Sequence, residues 1–126
     1  MEYTIITNNN KVFNFYQETD QVIFLEFSSF KEILHFIKNR CDEGYRLLSD
    51  PILYNLENKD NPFKTILISR SILSDNSHSI NLINGVLDIA KNIEFTPVNK
   101  LKEVELEEFR FIDLNLIRDS IDKIVF

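Results

Sequence analysis

The sequence predicts an α/β fold, a three-layer sandwich in which a small, mostly parallel four-stranded sheet is flanked by helices. Three observations predict it. Short β-branched runs alternate with segments whose apolar residues recur every three or four positions, the pattern of strands joined by helices. Each apolar run is stopped by turn-type residues. A polar stretch, Ser49 to Lys64, carries two of the three prolines and is too long for a tight hairpin turn. Loops of that length in a small domain are often functional. The 126 residues suffice for a single domain, residues 1–126, with a sizeable core.

Strand one is Tyr3–Ile6, rich in β-branched residues and stopped by Thr7-Asn8-Asn9-Asn10. Asn9 or Asn10 can cap a short helix over Lys11–Glu18, with Val12, Phe15 and Tyr16 inward. Strand two is Gln21–Phe27, whose nearly continuous apolar run predicts burial on both faces. Ser29 and Glu32 form a capping box, and Phe30, Ile33, Leu34, Ile37 and Cys41 make one apolar stripe. Gly44 stands where that helix needs a left-handed closing residue.

Strand three is Tyr45–Leu48, and strand four is about Lys64–Ser69. Strands one to three should be parallel through crossovers. Strand four is read as the return arm of a wide hairpin, because no helical stripe appears between it and strand three. A third helix spans about Ile80–Phe95, capped by Ser77 or Ser79, with Gly85 inside it. That glycine weakens a helix by about 1 kcal/mol relative to alanine, which suggests a close packing contact. Lys100–Phe109 fits helix or strand, and a short helix is preferred. Asp113 then caps a last helix over Leu114–Val125, with Leu114, Ile117, Ile121 and Ile124 on one face.

Composition excludes several function classes. Hydrophobic content of 44% argues against disorder. A net charge of −6, with no run of Lys or Arg, argues against binding nucleic acid through phosphates. No apolar run reaches membrane-spanning length, and the N-terminus lacks the pattern of a signal peptide. A lone cysteine, Cys41, fits a reducing compartment, so a cytoplasmic location is expected. Cys41 lies on an apolar stripe and reads as packing rather than as a nucleophile. His35 and His78 lack partners at metal-ligand spacing, so no metal site is expected. No glycine-rich phosphate loop, GxSxG, CxxC or HExxH is present, and no cofactor is expected.

In open α/β sheets, ligands bind beyond the carboxyl ends of strands. That edge would gather Thr7, Asn8 and Asn9, then Ser28 and Ser29, then Ser49 and Asp50. Asn61 and Lys64 close the long loop beside it. Two helix N-termini at the same edge favour an anion, so the candidate ligand is a small carboxylate or phosphate. Each residue also has an ordinary reading: asparagines and serines cap and turn, Asp before Pro initiates turns, and lysines start strands in solvent. Glu103, Glu105, Glu107 and Glu108 form an acidic run that reads as a solvated face or a docking surface for a basic partner.

Several stretches resemble the GrdX family, small bacterial proteins encoded with selenium-dependent glycine, sarcosine or betaine reductases. They are the opening Tyr3-Thr-Ile-Ile-Thr-Asn-Asn9 and the central Leu47-Leu48-Ser49-Asp50-Pro51. Asn61-Pro62-Phe63-Lys64 leading into Ile66-Leu-Ile-Ser69, and Phe111-Ile-Asp113 with Leu116-Ile117, complete the set. The resemblance implies amino-acid fermentation in an anaerobic, low-GC bacterium, and it brings no assigned reaction. The expectation is therefore a non-catalytic accessory protein that binds a reductase component or a small anionic metabolite. The alternative is a small enzyme with Asp50 as acid or base and the adjacent asparagines orienting a substrate. A homodimer using the aromatic surplus is a third expectation.

Overall fold

The structure, a computed structural model, describes residues 2–125. Strand β1 (Tyr3–Thr7) leads to helix α1 (Asn10–Tyr16), strand β2 (Val22–Phe24) and helix α2 (Phe30–Glu43). Helix α3 (Leu53–Glu57), strand β3 (Thr65–Ser69), helix α4 (Ser77–Ala90), a short 3-10 turn at Val98–Lys100 and helix α5 (Glu103–Val125) follow. The α/β class and the layering agree with the sequence, but the sheet does not. It has three strands in the order β2-β1-β3 and is mixed: β1 and β2 are parallel, β1 and β3 antiparallel.

The expected third strand is reduced to one antiparallel bridge, Leu47 to Ile68. The reason is visible in its hydrogen bonds. Only Leu48 N to Leu67 O and Ser69 N to Arg46 O, both 2.8 Å, run between the backbones. Serine hydroxyls take the other amides: Ser69 Oγ accepts from Arg46, Ser79 Oγ from Leu47 and Ser49 Oγ from Leu67, at 2.8–2.9 Å. These amides are satisfied without a ladder. Ser79 therefore holds the Arg46–Leu48 segment rather than capping α4, which starts earlier, at Ser77, and ends at Ala90.

The sheet separates two apolar layers. On one face Ile6, Ile66 and Ile68 pack against the stripe of α2 and against Ile83, Val86 and Ala90 of α4. On the other, Ile5 and Leu67 meet Val12 and Tyr16 of α1 and Leu114, Ile117 and Ile121 of α5. The alternation along β1 and β3 is the period-two rule of a strand buried on both faces. Strand β2 lies at the sheet edge, so it is shorter than expected and only half-buried.

Helix α2 realises its sequence signals. Ser29 and Glu32 form the reciprocal capping box, and Gly44 closes the helix at φ 116°. A Cβ there would lie 2.6 Å from Ile72 Cγ2, so the position excludes side chains twice over. Gly85 has nothing within 4 Å of its missing Cβ, contrary to the expected close contact. The long loop contains α3. Of the Lys100–Phe109 stretch, Lys100 ends the 3-10 turn, and the part from Glu103 onward joins the last helix in one continuous helix, α5, with Asp113 in its middle rather than at a cap. Among the described residues, no helix is long and apolar enough to cross a membrane.

Candidate functional site

Because β3 runs antiparallel to β1, its start lies beside the ends of β1 and β2. Asn8, Ser28 and the Asn61–Thr65 segment therefore meet at one edge. Asn8 is 5% exposed and joins three segments. Its Nδ2 donates to the carbonyls of Ser28 (2.9 Å) and Pro62 (3.1 Å), and its Oδ1 accepts from the Lys64 amide (2.9 Å). Asn9 caps α1 by accepting from Lys11 N, and its Nδ2 donates to the Arg110 carbonyl and to Asp113 Oδ2. Asn61 accepts from Phe63 N and donates to the Phe109 carbonyl. Asn8 and Asn9 have both amide hydrogens and the oxygen engaged within the chain, while Asn61 keeps one Nδ2 hydrogen without a partner among the described residues.

Asp113 anchors this edge. It is buried on α5, and its carboxylate accepts from Thr65 N (3.1 Å), Thr65 Oγ1 (2.6 Å) and Asn9 Nδ2 (3.0 Å). The Thr65 hydroxyl gives its single proton to Asp113, so in the Thr7–Thr65 contact of 2.7 Å Thr7 must donate. Thr7 Oγ1 in turn accepts from the Asn9 amide at 3.0 Å. The chain runs one way, Asn9 N to Thr7 to Thr65 to Asp113, and terminates in an acceptor. Burial pushes the Asp113 carboxyl above its ordinary value, against the opposing pull of Thr65, Asn9 and the Lys64 charge.

Two cavities flank the edge. The larger, about 880 Å³, opens between the β2–α2 loop, Pro62–Phe63, the segment 94–99 and Arg110 of α5. Its walls combine aromatic rings and prolines (Phe27, Phe30, Phe63, Phe95, Pro62 and Pro97) with polar and charged side chains, among them Glu26, Lys31 and Glu94. Phe30 and Phe95 stack with centroids 4.6 Å apart. The Arg110 guanidinium lies 5.1 Å from the Phe63 ring and is tied to Glu103 and Glu107. Phe27 is 94% exposed.

The smaller cavity, about 190 Å³, is lined by the Lys64–Thr65 segment, next along the chain from the Pro62–Phe63 wall of the cleft. Ser49, Asp50, Tyr54, Lys64, Asp113 and Ser120 supply its polar lining. Lys64 is buried, and desolvation lowers its ammonium pKa, partly offset by Asp113 and Asp50. Asp50 is exposed, and its Oδ1 caps its own turn by accepting from Ile52 N and Leu53 N at 2.7 Å.

The expected residues thus divide between the two places. Asn8 and Ser28 line the cleft, Ser49, Asp50 and Lys64 line the small cavity, and Asn9 and Asn61 hold α5 to the edge. Asp50 is not joined to Asn8 or Asn9, whose side chains bond elsewhere, so the acid and its supposed orienting amides do not form one site. Cys41 is fully buried, and burial raises its thiol pKa to about 11, in keeping with a packing role. Among the described residues, no group of three His, Cys, Asp or Glu is placed to hold a metal ion. Two contributors were missed. Asp113 was read as a cap, although it follows Leu106 by seven residues and so shares its buried face. Phe27, expected as the last residue of strand two, lies beyond β2 in the turn that leads to α2.

No curated protein and no solved structure matches the chain. A family model described as GrdX-like protein matches residues 4–122. That span holds both cavities and every strand-end residue described above. The chain therefore belongs to the GrdX-like protein family.

Proposed function

We propose that this protein is a non-catalytic accessory of the glycine, sarcosine or betaine reductase systems, and that it docks a segment of a reductase component in the larger cleft. Membership of the GrdX-like family supplies the association with glycine reductase systems. The observation that carries the docking reading is Phe27, 94% exposed on a cavity walled by aromatic rings and prolines. A large apolar side chain held in water beside an apolar cleft is the signature of a surface covered by a partner. Aromatic anchors flanked by arginine are the usual energetic centre of such an interface. Arg110 stands on the same wall.

Size points the same way. About 880 Å³ is at the upper end of the roughly 300–1,000 Å³ that hold drug-sized ligands. A small carboxylate or phosphate would leave most of it to water. Of the side chains that could fix such an ion there, Asn8 is hydrogen-bonded to Ser28, Pro62 and Lys64, Arg110 is tied to Glu103 and Glu107, and Lys31 lies over the Phe95 ring.

Titration calorimetry of the full chain against each purified reductase component tests the reading. One component should bind, and Phe27→Asp should weaken that complex roughly ten- to a hundredfold, since burying a phenylalanine is worth about 1.5–3 kcal/mol. The unfolding midpoint of Phe27→Asp should match wild type. Absence of a complex with every component, or an unchanged affinity in the variant, overturns the proposal.

A further inference from the structure

The small cavity brings together three donors with no acceptor among the described residues. Lys64 is 7% exposed, and its Nζ makes no hydrogen bond or ion pair with any described residue. Tyr54 Oη accepts from Asn58 Nδ2 at 2.8 Å and donates to no described residue. Ser49 Oγ accepts from Leu67 N at 2.8 Å and likewise keeps its own proton unpaired. Three donors thus line a cavity of about 190 Å³, room for about six waters at roughly 30 Å³ each. The Lys64 ammonium, on a side chain buried along most of its length, has no acceptor in the chain, and a carboxylate is the group that offers only acceptors.

The charges narrow the class. Lys64 is the one cation among the lining residues, while Asp50 and Asp113 are both acids. A plain anion would place a third carboxylate beside a single ammonium. Asp113 is satisfied by Thr65 and Asn9. Asp50 uses only Oδ1 on its own turn, and its Oδ2 has no partner among the described residues. A ligand with a carboxylate at one end and an ammonium a bond or two away matches this arrangement without excess charge.

We propose that the cavity binds a small free amino carboxylate, its carboxylate on Lys64, Ser49 and Tyr54 and its ammonium on Asp50. This site is separate from the docking cleft and does not depend on it. Lys64 gains from the bound carboxylate the acceptor that burial denies it. The ligand adds no net charge to a site that already holds one ammonium and two carboxylates, which limits the desolvation cost.

Amide-shift titrations of the full chain with glycine, acetate and methylamine test the proposal, since the three carry both charges, the negative one alone and the positive one alone. Glycine should bind saturably in the millimolar range, with shifts centred on residues 49–54 and 64–65. Acetate should bind at least about tenfold more weakly, and methylamine should not bind. Asp50→Asn keeps the turn-capping oxygen and should reduce glycine to the level of acetate. Tyr54→Phe should weaken glycine roughly fivefold, the worth of one hydrogen bond. Lys64→Met should abolish binding; should that variant fail to fold, the other two decide. No saturable glycine shift up to about 50 mM, equal affinities for glycine and acetate, or an Asp50→Asn variant that binds as wild type each overturns it.

Discussion

The cleft and the small cavity draw on successive parts of one segment, Pro62–Phe63 for the cleft and Lys64–Thr65 for the cavity, and use their polar residues in different ways. On the cleft side Asn8 has its donors and its acceptor engaged with the chain. The large apolar side chain left open there is Phe27. On the cavity side Lys64, Ser49 and Tyr54 keep unpaired donors. The residue type does not tell the two apart. A polar side chain at a strand end is structural when its hydrogen-bonding groups are matched inside the chain, and available to a ligand when they are not.

The largest test removes the anchor common to both regions. Asp113→Ala strands the Thr65 amide, the Thr65 hydroxyl and Asn9 Nδ2, and leaves Lys64 with less opposing charge. A loss of about 3–5 kcal/mol is expected, the range for breaking a buried charged network from one side. Urea unfolding measures it. A loss below about 1 kcal/mol would show that the strand-end edge does not depend on Asp113.

A paired comparison is the next in size. Asn8→Ala should cost about 2–4 kcal/mol, because it leaves the Lys64 amide unsatisfied and frees two buried carbonyls. Asp50→Asn should stay within about 0.5 kcal/mol of wild type, since an asparagine oxygen caps the same turn. Equal losses in the two variants would erase the distinction between satisfied and available groups. The same urea unfolding curves, with unchanged slopes, decide it.

Local chemistry was legible in the sequence, and partner choice was not. Helix α2 announced its start by Ser29 and Glu32 and its end by Gly44, because capping acts within a few residues. Asn9 announced its cap on α1 in the same way. The third strand failed because hydroxyls from Ser49, Ser69 and Ser79 replace ladder partners, and nothing local to Tyr45–Leu48 signals that. The role of Asp113 depends on Asn9, 104 residues away, and on Thr65, 48 residues away. The residues expected at the site were largely those at the edge. Which of them had spare hydrogen-bonding capacity required the structure.

The smallest expected effect bears on the cavity alone. Lys64 has its pKa lowered by desolvation, so the folded protein holds that proton less tightly than the unfolded chain. Below the folded pKa both states carry the proton and the penalty is complete. Between the folded pKa and the ordinary lysine value of 10.5, the unfolded state binds more protons, so stability rises with pH. One proton limits the slope to about 1.4 kcal/mol per pH unit. Cys41 and Tyr3, both raised by burial, bend the curve the other way once their unfolded forms ionise, from about pH 9 upward. Subtracting the profile of Lys64→Met from that of wild type cancels both. The difference should grow in favour of wild type as pH rises towards 10.5, and saturating glycine should flatten it by supplying the acceptor that the empty cavity lacks. A flat difference without glycine would mean that the ammonium is already satisfied, and the contrast between the cleft and the cavity would then rest on Ser49 and Tyr54 alone.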